Sequence, residues 1–79
     1  MNNKFRTSNI DFVAYLKMNG IEFTNTEKSK NNNKIMFGYD YDFKTLIDMQ
    51  NHFNNDEVLI KMQEFRNARG IILDIVKLI

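Results

Sequence analysis

His52 is the single histidine in a 79-residue chain that contains no cysteine. Any nucleophile–histidine–acid arrangement would have to be built on it. Its setting speaks against that: it sits between Asn51 and the apolar Phe53, at mid-helix spacing, where a histidine faces solvent. One imidazole without thiolates is also a poor zinc set. Asp40 and Asp42 flank Tyr41 and form the nearest approach to a paired carboxylate. Both stand just before a helical pattern, where N-capping and the helix dipole favour acids. No ordered run of further oxygen ligands follows, so a calcium loop is not expected. Glycines at 20, 38 and 70 are too scattered to cradle a phosphate. These residues predict no catalytic residue, no metal, no cofactor and no small-molecule substrate; the expected protein is not an enzyme.

The residues that could bind rather than react fall into three groups. Phe37-Gly38-Tyr39 places two aromatics on one strand, as in RNA-recognition strands. The basic-Gly pair that should precede them is missing, Asp40 follows, and packing in a core accounts for both rings. Lys28, Lys30 and Lys34 frame an asparagine-rich stretch and could follow a phosphate backbone. Arg66 and Arg69 could join them, together with Lys4 and Arg6; the plainer role is a stem lying over the core. The third group is the C-terminal run from Ile71 to Ile79, where seven of nine residues are large aliphatics. Ile71, Ile72, Ile75, Val76 and Ile79 are its candidate contact residues, for another protein or a second copy of the chain. A helix on a small sheet buries a stripe of about 100°, and this run is apolar over more of its circumference. Filling the core from several sides is the competing role.

The elements that must position these groups can be read from periodicity. Residues 3 to 7 suggest a short first strand with Phe5 inward. Ser8 and Asp11 resemble a capping box for a helix from about Asn9 to Asn19. Phe12, Val13 and Leu16 form its apolar stripe, and Gly20 suits its left-handed C-terminal cap. Ile21 and Phe23 alternate with Glu22 and Thr24, which predicts a strand. Asn25 to Asn33 is wholly polar and predicts a loop; Lys34 to Tyr39 predicts the return strand. Asp40 or Asp42 caps a second helix carrying Phe43, Leu46, Ile47, Gln50 and Phe53. Asn54, Asn55 and Asp56 end it and cap the next. From Glu57 to Ile79, Val58, Met62, Phe65, Arg69, Ile72, Val76 and Ile79 repeat at near-heptad spacing, with Phe65, Ala68, Ile72, Ile75 and Ile79 in an adjacent row, which predicts one long helix of roughly 20 residues. Gly70 objects to it. The expected fold is therefore α+β in the order β-α-β-β-α-α. If Ile71 to Leu78 were a strand instead, the order would be the ferredoxin-like β-α-β-β-α-β.

Length permits one domain, residues 1–79, since two cores of half this size would be too small. An apolar fraction of 43% with seven Phe and three Tyr supports a packed core. The net charge of +1 is not that of a protein that coats nucleic acid. No cysteine, a polar N-terminal stretch and no apolar run near the roughly 20 residues of a bilayer span predict a cytoplasmic protein away from membranes.

Phe5 and Thr7, Ala14-Tyr15-Leu16, Gly20, Phe37-x-Tyr39 and the closing helix around Phe65 give the chain its resemblance to a family of small proteins of unknown function. They occur in phages, prophages and mobile elements of Gram-positive bacteria. The resemblance implies a small accessory protein without catalytic residues. The expected function is protein–protein contact, which includes inhibition of a host defence factor such as CRISPR–Cas. The alternative is a nucleic-acid-binding accessory or regulatory protein that uses the basic hairpin loop.

Overall fold

A computed structural model describes residues 4–30 and 34–79. Among them the chain forms β1 (Phe5–Thr7), α1 (Ile10–Met18), β2 (Asn25–Lys28), β3 (Ile35–Tyr39), α2 (Phe43–Asn54) and α3 (Met62–Lys77). This is the α+β order expected, β-α-β-β-α-α, and residues 71–77 are helical, so the ferredoxin-like alternative does not form. The strands make one antiparallel sheet in the order β1-β3-β2. Phe5 pairs with Tyr39 and Thr7 with Phe37 on one side; Asn25 pairs with Gly38 and Lys28 with Ile35 on the other.

The alternation of β3 sorts its residues by face. Ile35, Phe37 and Tyr39 point into the core with Phe5, and the helices cover that face. Met36 and Gly38 lie on the opposite face with Arg6, Asn25 and Glu27, and no helix covers it. α1 is the central helix. Phe12, Val13, Ala14 and Leu16 are all buried, an arc wide enough to meet the sheet on one side and α3 on another. Leu46 of α2 and Ile72 of α3 complete the core.

Three local features depart from the periodic reading, each for a physical reason. α1 is capped one residue later than expected: Asn9, not Ser8, accepts from the Phe12 amide at 3.2 Å, while Thr7 Oγ1 accepts from the Asn9 amide. The second strand is Asn25–Lys28, not Ile21–Thr24. Gly20 does take the left-handed cap of α1, at φ 78°. Its amide donates to Lys17 and that of Ile21 to Leu16, a Schellman closure that uses up the Ile21 backbone. Phe23 sits edge-on to Phe37 and Tyr39 as the connector crosses the core. The alternation of Ile21 and Phe23 thus reports burial, whereas the ladder begins where the chain reaches β3, at the Thr24 amide. The polar residues that follow form an edge strand, which charge protects from further pairing.

Thirdly, Asn54–Asp56 closes α2 and does not open α3. Asp56 adopts φ 57°, and the amides of Asp56 and Glu57 donate to Phe53 and His52. α3 starts only at Met62, after the connector carrying Val58, Leu59 and Ile60. It then runs through Gly70 for 16 residues.

Candidate functional site

The groups that suggested chemistry are occupied structurally. His52 is exposed at the end of α2, with Nδ1 3.1 Å from Glu57 Oε1. Asp42 caps α2: its carboxylate accepts from the Thr45 hydroxyl and amide, and these bonds hold its pKa below the ordinary carboxylate value. Asp40 is exposed beside it. Among the described residues, no three or more His, Cys, Asp or Glu side chains gather as a metal would require. No helix is long and apolar enough to cross a membrane among the same residues.

Phe37 and Tyr39 point inward and are fully buried, in the core role that the sequence favours over base stacking. Gly38, between them, is the residue on the open face. The buried Tyr39 hydroxyl has no hydrogen-bond partner among the described residues. Burial, reinforced by the charge of Glu22, pushes its pKa far above the ordinary phenol value.

α3 divides its apolar residues between two surfaces. Ile72 is 1% exposed and belongs to the core, so it offers nothing to a partner. Val76 is half-buried against the core and Ile75 is half-buried. Ile71, at 48%, and Leu78, at 88%, remain open to solvent, and Ile79 is exposed at the chain end. A groove of about 320 Å³ runs between α1 and α3, lined by Lys17, Met18, Glu64, Asn67, Ala68 and Ile71. Leu59, wholly exposed, and Met62 add apolar surface at the start of α3.

The candidate cations are also divided. Arg69 Nε lies 2.7 Å from Asp11 Oδ1 and ties α3 to the first turn of α1. Arg66 is exposed elsewhere on α3. At the hairpin, Lys28 and Lys30 meet Arg6 of β1 and Glu27 around a second groove, of about 360 Å³, completed by Ser29 and Met36. Lys34 is exposed across the hairpin, where its carbonyl accepts from the Ser29 amide.

Residues 2–76 match the model of a domain of unknown function, DUF5659. The chain belongs to that family. No curated protein and no solved structure matches it.

In this DUF5659 chain, then, Ile71, Ile75 and Ile79 remain near the surface while Ile72 is withdrawn from it. Lys28 and Lys30 come together, and Arg66 and Arg69 line neither side of their groove. Sequence reasoning missed Met18, Glu64 and Asn67 beside Ile71, because a groove between two helices depends on which faces meet. Glu27, which dilutes the charge of the lysines in sequence, does so in space by pairing with Arg6. The β1-β3-β2 order, which lets Arg6 reach Glu27 on a diagonal across β3, is a tertiary fact.

Proposed function

We propose that this protein is a non-catalytic binding protein that docks the outward face of α3, with the adjoining α1/α3 groove, onto a partner protein. The observation that carries this reading is the exposure of Ile71, next in sequence to the buried Ile72, and of Leu78 at the C-cap of α3. Large aliphatics left in water on a helix that has already filled its share of the core are a contact surface in waiting.

Charge selects among occupants. Glu64, Asn67, Ile71, Asp74 and Leu78 recur at helical spacing along one stripe. Neither Glu64 nor Asp74 has an ion-pair partner among the described residues. A second copy laid antiparallel on this stripe would place Asp74 against Asn67 and Glu64 against Leu78. A parallel copy would oppose each acid to itself. Both arrangements bury carboxylates without a cation, which is costly. The stripe instead fits a different protein whose apolar anchor is flanked by Lys or Arg.

The resemblance to phage and mobile-element proteins supports an accessory role inside a bacterial host cell. A defence factor such as a CRISPR–Cas component is the class of target such a protein would block. The proposed setting is the cytoplasm, in keeping with the absence of cysteine.

The test combines light scattering on the free protein with affinity capture from host lysate and reconstitution from purified components. A monomer that forms a defined complex, weakened at least about 30-fold by Ile71→Asp/Leu78→Asp with unchanged circular dichroism, supports the reading. Undiminished binding by that variant, or a free dimer that the variant dissociates, overturns it.

A further inference from the structure

The hairpin groove lies on a different surface and carries a separate inference. Arg6 belongs to β1 and Glu27 to β2, strands that flank β3 without touching each other. Their side chains nevertheless meet on the open face, at 3.6 Å. They do so on a diagonal across β3, next to Gly38, over which the Asn25 side chain lies. Lys28, at the end of β2, and Lys30, in the turn that follows, line the same groove as Arg6 and Glu27. Lys34 stands just before the returning strand β3. Four cations and one acid place +3 at this end of the molecule; the whole chain is only +1, so the remainder is net −2. The cations are thus segregated although the total charge conceals it.

We propose that this end of the hairpin binds the phosphate backbone of duplex DNA through Arg6, Lys28 and Lys30, with Glu27 as a built-in competitor for Arg6. The groove is open and shallow, with cations spaced along an edge, which suits a linear polyanion better than a single small anion. None of its lining residues is aromatic, and Phe37 and Tyr39 point away into the core. A single strand needs rings on which unpaired bases can stack, so the site favours a duplex. A two-stranded β-ribbon fits the major groove of B-form DNA, whereas the A-form groove of duplex RNA is too narrow. Glu27 holds Arg6 in the free protein; an arriving phosphate replaces one carboxylate oxygen with another oxyanion, and the guanidinium keeps a partner throughout.

The experiment is fluorescence anisotropy with a labelled mixed-sequence duplex DNA of about 20 base pairs, a matched single strand and a matched duplex RNA, at about 50 mM and about 200 mM salt. Wild type should bind the DNA duplex best, with a log–log salt slope of about −3 for three phosphate contacts. Lys28→Gln/Lys30→Gln should weaken binding at least about tenfold and bring the slope to about −1. Glu27→Gln should tighten binding several-fold, a gain that misfolding cannot produce. Lys61→Gln/Lys77→Gln, away from the groove, should leave the slope near −3. Absence of binding at the lower salt, a slope untouched by the lysine pair, weaker binding by Glu27→Gln, or preference for single strand or RNA would each overturn the proposal.

Discussion

The Tyr39 ring has Phe5 and Phe23 edge-on, with ring centroids at 6.0 and 6.5 Å, and among the described residues nothing accepts the proton of its hydroxyl. A buried hydroxyl without a partner loses its water bonds uncompensated, at roughly 1–3 kcal/mol. Tyr39→Phe keeps the ring contacts and removes that penalty. It should stabilise the protein by about 1 kcal/mol, seen as a higher urea midpoint at unchanged slope. The pH dependence follows from the raised pKa. The folded state retains the phenol proton after the unfolded chain has begun to lose it, so stability is intact below about pH 10 and declines as pH rises further. The Phe variant should lack this part of the alkaline decline, so the two midpoints should diverge between about pH 8 and about pH 11. The inward direction of Tyr39 was legible from its alternation with Ile35 and Phe37. The orphaned hydroxyl was not, because satisfaction depends on what other segments bring to it. Asp42 is the contrary case: its acceptor bonds come from Thr45, three residues along, and its capping role could be read directly.

Gly70 shows the same division at the scale of elements. In sequence it argues against a long C-terminal helix, yet α3 runs straight through it. A methyl group added at Gly70 would meet no atom within 4 Å. The residue therefore costs helix propensity without relieving any clash. Gly70→Ala should stabilise α3 by about 1 kcal/mol and raise the thermal midpoint by roughly 4–8 °C, measured by circular dichroism. A lower midpoint would mean that the backbone here is closely approached. The helices were legible because their apolar residues recur on one face over several turns. β2 was placed one strand length too early because Ile21 and Phe23 are buried without being paired. Asn54–Asp56 ends α2 as its composition predicts but does not also cap α3, since Asn and Asp serve both as N-caps and as left-handed closures. Local patterns report burial and capping chemistry; which backbone pairs with which is decided by the returning strand.

At the scale of the molecule, the decisive mismatch is between the widths of the two layers. The Cα envelope is 34 × 33 × 20 Å, and its thinnest direction leaves room for one sheet and one layer of helices. Three strands spaced about 4.8 Å apart cannot underlie three helices spaced 8–10 Å apart. α3 accordingly packs chiefly on α1, and its outer rim has no sheet beneath it. The apolar excess of residues 71–79 is thereby split: one part closes the core and the other projects beyond it. That split is measurable. Ile72→Ala should cost about 2–5 kcal/mol, a large share of the stability available to so small a domain. Ile71→Ala and Leu78→Ala should each cost no more than about 1 kcal/mol, because little of what they remove is buried. Urea denaturation of the three variants decides the matter. If Ile71 and Leu78 proved as costly as Ile72, the rim would be part of the folding core and the docking surface would disappear. If they are nearly silent in folding while Ile71→Asp/Leu78→Asp abolishes partner binding, then the uncovered side of α3 is maintained for something other than the fold.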